Sequence, residues 1–254
     1  MQSVMAVANN TFRETIRDKI LYNLVFFALL LIGSSVLLGM LTIGEQARIV
    51  KDLGLAAINL VAVIIAIFLG VGLVSREIER RTIYTILARP ITRIQFVLGR
   101  YIGLAGIVTV NIVIMFAMFL ATIWLSGFPI HAALFQAVQL ILVESLVVMA
   151  IALLFSTFSS ATLSASMTIG LYIVGHLTSD LKVIAEKSAS QVAKAVMTGL
   201  YYMCPNLEVL NIKGQAASGV SLAIETQVLA TGYGVLYAGL LLLAACLIFQ
   251  RREF

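Results

Sequence analysis

Charge is scarce in this 254-residue chain: Asp, Glu, Lys and Arg make up 11% of it against 61% hydrophobic residues, and mean hydropathy is +1.05. A soluble domain carries about a quarter charged residues, so that class is excluded. Cysteine is nearly absent. Cys204 falls in a loop and Cys246 deep in the last apolar run, which excludes a disulfide framework. The two histidines, His131 and His176, stand isolated near the outer ends of apolar runs and offer too few ligands for zinc, so no metal is expected. No G-x-x-x-x-G-K-[ST] phosphate loop occurs, and the chain is not expected to hydrolyse nucleotide itself. H-E-x-x-H, G-x-S-x-G and mid-membrane Ser/Lys or Asp/Asp pairs are also missing, which argues against an intramembrane enzyme. The net charge of +5 needs no nucleic acid to explain it, because the positive residues collect beside apolar runs. No cleavable signal peptide is expected, since the first apolar run starts near Leu21 and is too long for a signal core.

What is abundant is uncharged apolar sequence in runs of about 20 residues, the length that crosses about 30 Å of hydrocarbon. The reading is an all-α membrane protein, one domain over 1–254, with six spans. They are expected at about 21–43, 55–74, 101–125, 133–155, 161–177 and 227–249. The third ends at the turn Gly127-Phe128-Pro129. Between the fourth and fifth only the polar run Ser156 to Ser160 marks a boundary.

Before the first span, Val4, Ala8, Phe12, Ile16 and Ile20 recur every four residues among Asn10, Arg13, Glu14, Arg17 and Asp18. That pattern predicts an amphipathic helix over 1–20 lying in the membrane interface. Between the second and third spans lies an Arg-dense insert, 76–100, holding Arg76, Arg80, Arg81, Arg89, Arg93 and Arg100. Ile78, Ile83, Ile86 and Leu87 recur there at helical spacing until Pro90 stops the run. A charged helix at the membrane face reads as a docking element for a soluble partner. Short loops rich in Lys and Arg stay in the cytoplasm. Six spans with both termini inside place eleven of the 17 Lys and Arg on that side, leaving Arg48, Lys51, Lys182, Lys187, Lys194 and Lys213 outside. The outer segment 178–226 begins with a weakly amphipathic stretch and continues as GLYYMCPNLEVLNIKG, an aromatic and apolar run expected to dip back into the interface.

Glu144 is the one acidic residue inside a span, and an intramembrane carboxylate is a functional candidate by default. With no His, Lys or Asp partner evident, it reads better as a protonated or hydrogen-bonded structural residue. The alternative is a secondary transporter or channel using Glu144 as its ion site. Ser156, Ser160 and Ser164 at spacing four, beside Ala161 and Ala165, let helices approach closely, within the monomer or at a dimer seam. Gly70 and Gly72 read as close packing.

At the insert the chain resembles the permease subunits of ABC-2 type ABC transporters. The positions that carry the likeness are Glu79, Thr82, the apolar stretch Ile83 to Leu87, Pro90 with Thr92 and Arg93, and Gly99 with Arg100. Pro205-Asn206-Leu207, Asn211 and the closing Phe249 to Phe254 fit as well. Arg81 departs from the Gly common before the Thr. The subgroup it looks most like includes permeases for copper-enzyme maturation. The resemblance implies a homodimer of permeases with two cytoplasmic nucleotide-binding subunits, which hold ATP and Mg, in a bacterial or archaeal cytoplasmic membrane. It implies partner contacts through the N-terminal helix (Arg13, Arg17) and the coupling helix region (Glu77, Glu79, Arg80, Arg81, Thr82, Pro90, Arg93). It also implies an outer re-entrant segment between the fifth and sixth spans. Export of a lipidic, amphipathic or extended substrate is the expected function.

Overall fold

The computed structural model describes residues 2–16, 19–41, 44–80, 92–187, 197, 199 and 204–251. Among them are eight α-helices, a short 3-10 helix and no strand. The helices are α1 (Gln2–Thr15), α2 (Lys19–Met40), α3 (Gln46–Arg80), α4 (Arg93–Leu125), α5 (Ala132–Ser156), α6 (Ala161–Lys187), α7 (Lys213–Ala217) and α8 (Ile224–Arg251), with the 3-10 turn at Leu207–Leu210. Arg17, Arg81, Thr82 and Pro90 lie outside the described residues, as does the stretch 188–196 of the segment expected to lie outside.

Five helices are long and apolar enough to cross a membrane, over Leu21–Met40, Gln46–Leu73, Ile94–Leu125, Ala132–Ser156 and Ile224–Gln250. The fifth expected span falls on α6, which is continuous from Ala161 to Lys187 but more polar. Thr162, Ser164, Ser166, Thr168 and His176 dilute its apolar face. Two helix starts are also earlier than expected. The second apolar helix begins at Gln46, taking Arg48, Lys51 and Asp52 into its first turns, and the third begins at Arg93.

α3 and α5 form the axis of the bundle and pack on each other more extensively than any other pair. Gly70 allows it, since a Cβ there would lie 2.7 Å from both the Ala152 Cβ and the Met149 carbonyl oxygen. Around this axis stand α2, α4, α6 and α8, whose outward faces expose Phe26, Leu37, Val113, Ile173, Leu229 and Leu236. Such faces suit a hydrocarbon solvent.

The uncharged reversal between α5 and α6 is held by hydroxyls. Ser156 and Thr157 donate to the carbonyls of Leu153 and Leu154, and Ser159 donates to that of Phe155. They cap the end of α5 without any charge. The Ser159 and Ser164 hydroxyls then pair at 2.7 Å. Ser156 and Ser164 are thus buried within one chain, while Ser160 is exposed.

α1 spends part of its apolar stripe on protein. It runs alongside the first half of α4 in the same direction, with Val4 and Val7 over Gly99, Ala8 and Thr11 over Gly103, and Phe12 beside Gly106. α4 has 33 residues, about 50 Å at 1.5 Å per residue, longer than the hydrocarbon layer requires. α1 covers the surplus.

Candidate functional site

Glu144 sits halfway along α5 and is 0% exposed. A carboxylate there costs several kcal/mol, on the order of 3–5 when unpaired, so its partners decide its state. Its Oε1 lies 2.9 Å from Nε2 of His176 on α6. On the other side of the imidazole, Nδ1 lies 3.1 Å from Oε2 of Glu208 on the 3-10 turn. Asn211 donates to both oxygens of Glu208 at 3.1 Å. Asn59 of α3 closes the cluster. With its amide turned to satisfy both neighbours, it donates to Glu144 Oε2 at 3.3 Å and accepts from Lys213 Nζ at 2.6 Å. Tyr172, one turn before His176, meets the imidazole edge-on at 4.7 Å between ring centres, with its hydroxyl 3.3 Å from the Asn59 amide.

This corrects two sequence expectations. Glu144 does have a histidine partner, and His176 is not isolated. Both contacts of His176 are made across 32 residues of chain, so no local pattern marks them. A usable signal did exist: Glu144, His176 and Glu208 are polar groups in apolar surroundings, and buried polar groups need partners. His131 is separate. It stands before α5 with its ring against Gly219, whose φ of +80° and 3.2 Å clearance both favour glycine.

The segment Cys204–Ala217 is tied to four helices at this level. Thr178 of α6 donates to the Gly175 carbonyl at 2.7 Å and to Asn206 Oδ1 at 3.1 Å. The Asn206 backbone N–H donates to the Tyr233 hydroxyl of α8 at 2.8 Å. Leu207 and Leu210 are buried, and Gly175 admits Leu207 and the Pro205 carbonyl to within 3.0 Å of where its Cβ would be. Lys213 opens α7, which packs on α3 and α5. Pro205, Asn206 and Leu207 are therefore the joint between segment and bundle, while Asn211 bonds Glu208 within the segment. Burial pushes the Cys204 thiol up from its ordinary value.

A second polar set joins α5 to α8. Gln136 donates to Gln227 Oε1 at 2.8 Å and to the Leu222 carbonyl at 3.2 Å, and accepts from the Leu222 N–H at 2.9 Å. Gln227 in turn donates to Gln139, which reaches Thr231. The ladder satisfies amides that an apolar helix pair would otherwise strand.

The expected docking residues divide. Arg13 is exposed on α1. Glu77, Glu79 and Arg80 belong to the last turns of α3, and Arg93 opens α4. Just before Arg93, Thr92 caps α4: its hydroxyl accepts from the Gln95 N–H at 3.3 Å while its own N–H donates to Gln95 Oε1 at 3.2 Å. A Thr with Gln three positions on is a capping box, which gives Thr92 a structural reason. Gly99 stands in the second turn of α4, where it admits α1, and the Arg100 guanidinium lies 4.9 Å from the Phe96 ring centre.

Comparison with curated proteins gives no match. The sequence profile described as ABC-2 family transporter protein matches residues 5–254, nearly the whole chain. With its apolar helices this makes the protein a multi-pass membrane component, and the chain belongs to the ABC-2 family of transporter proteins.

Proposed function

We propose that this chain is the permease of an ATP-driven exporter, in which two copies pair and two cytoplasmic ABC ATPase subunits supply the work. The observation that carries the reading is a family match over 5–254 on a sequence with no phosphate loop of its own. ATP and Mg then belong to the partner. In this reading α6 is the fifth of six spans, its hydroxyls spent within the chain, and Cys204–Ala217 is an outer re-entrant segment. Both termini and the Arg insert lie in the cytoplasm of a bacterial or archaeal cell. α1 and the insert between the second and third spans receive the ATPase through Arg13, Arg17, Glu77, Glu79, Arg80, Arg81, Thr82, Pro90 and Arg93. Rigid-body rocking of the helices that flank the insert then transmits the stroke. The outward faces and spans carry few charges, which favours a lipidic, amphipathic or extended substrate over a small ion. The narrower likeness to copper-enzyme maturation permeases rests on the insert and terminal motifs alone.

The test is co-purification. The chain should isolate with a phosphate-loop ATPase in equal numbers, and Glu79→Lys should weaken that association and uncouple hydrolysis. Unchanged association and coupling in Glu79→Lys would reject the docking assignment. The Glu144–His176 contact gives a second reading some footing, that of an ion-coupled secondary transporter. It requires transport without any ATPase partner.

A further inference from the structure

The bond pattern around His176 has a consequence for protons. Both ring nitrogens face a carboxylate oxygen, Nε2 at 2.9 Å from Glu144 and Nδ1 at 3.1 Å from Glu208. A neutral imidazole has one N–H and one lone pair, so with both carboxyls ionised one of these contacts would set a lone pair against a carboxylate. A second ring proton turns both contacts into charge-assisted hydrogen bonds. We infer that His176 binds a proton between Glu144 and Glu208, and that this proton fastens the segment Cys204–Ala217 to the centre of the bundle.

The groups facing the ring from each neighbouring element fit this assignment. α5 supplies Glu144, the 3-10 turn Glu208, α6 itself Tyr172, and α3 the neutral Asn59. α7 supplies the one opposing charge, Lys213, which is held by Asn59. Two carboxylates, one imidazolium and one ammonium leave the cluster neutral, the condition under which buried charges persist.

The two carboxylates are not equivalent when the proton leaves. The Glu144 side chain is 0% exposed and has no water to turn to, whereas that of Glu208 is 41% exposed. A neutral His176 therefore keeps donating to Glu144 and turns its lone pair on Glu208. Water replaces the ring at Glu208, and the segment loses one of its ties. The attachment holds while the ring keeps its second proton and weakens as rising pH removes that proton. The segment carries Asn206, which also bridges α6 and α8, so its loosening would free the space between those helices.

Nitrogen-15 spectra of histidine-labelled full-length chain in lipid nanodiscs test the proton directly. His131→Asn leaves His176 as the sole signal. At pH 6.5 both ring nitrogens should be of the protonated imidazolium type, and a bare ring nitrogen at that pH overturns the inference. A second measurement follows the segment, using alkylation of Cys204 in a Cys246→Ala background. A glutamine at position 208 can meet the ring in either state, so the ratio of wild-type to Glu208→Gln labelling rates should rise between pH 6 and pH 9. Thiol ionisation cancels in that ratio. A flat ratio means the proton does not hold the segment. His176→Gln, with no ring proton to lose, serves the same comparison if Glu208→Gln does not assemble.

Discussion

Gly103 passes so close beneath Ala8 that a Cβ added to it would stand 2.5 Å from the Ala8 carbonyl oxygen. The obstacle is backbone, and no side-chain rotation relieves it. Gly103→Ala should therefore push α1 off α4, at the cost typical of overpacking, about 1–3 kcal/mol. Gly106→Ala is the control, because it meets only the edge of the Phe12 ring, at 3.3 Å. Thermal unfolding in detergent should rank wild type and Gly106→Ala above Gly103→Ala. Because α1 is a proposed partner contact, Gly103→Ala should also lower the ATPase recovered with the chain. Equal melting of all three would show that α1 is not held by this seam.

Glu144 separates charge from shape. Glu144→Gln keeps an oxygen to accept from His176 Nε2, so folding is retained and transport should stay within a few-fold of wild type. Glu144→Leu leaves His176, Glu208 and Lys213 without their buried counterpart, and removing one partner of a buried pair costs on the order of 3–5 kcal/mol. The leucine variant should express poorly or melt early. Loss of transport in a stable, fully assembled Glu144→Gln protein would instead make this carboxylate an ion site.

Helices were legible in the sequence because hydrocarbon-length runs and their breaks are local properties. Gly127, which adopts φ of +72°, ends α4 where the Gly127-Phe128-Pro129 turn was expected. The stripe of Val4, Ala8 and Phe12 was legible as an apolar face, but not its neighbour. That neighbour is a row of glycines at 99, 103 and 106, and glycine has no hydropathic signature to mark it. The start of α3 was misjudged because Arg48, Lys51 and Asp52 look like a loop. Yet a helix longer than the bilayer carries charges on the turns beyond it. The Glu144 cluster was half legible. One carboxylate in an apolar run announces that a partner exists, but only the packing of α6 against α5 says which residue it is.

Topology is open to chemical labelling. With Cys204 and Cys246 replaced by alanine, single cysteines at Gln95 and Gln215 should react from opposite faces of intact cells, Gln215 with an impermeant outside reagent and Gln95 only after permeabilisation. Gln215 lies exposed on α7, and Gln95 on the first turn of α4 within the insert. Labelling of both from outside would overturn the six-span arrangement.

The Gln136–Gln227 pair tests how much a polar ladder adds between two apolar helices. α8 is largely exposed along its length, and its first turns are tied to α5 by amide bonds as well as packing. In a membrane the separated helices would also seek partners for these amides, which limits the gain. A double-mutant cycle of Gln136→Leu and Gln227→Leu should therefore return a coupling of about 0.6 kcal/mol and no more than about 1.7. Each single change should cost more than the coupling, because it strands the other amide, and the double change should recover part of that loss. Reversible unfolding in mixed micelles supplies the four free energies. Strictly additive losses would mean that packing alone holds α8 to α5, and that the ladder adds no stability.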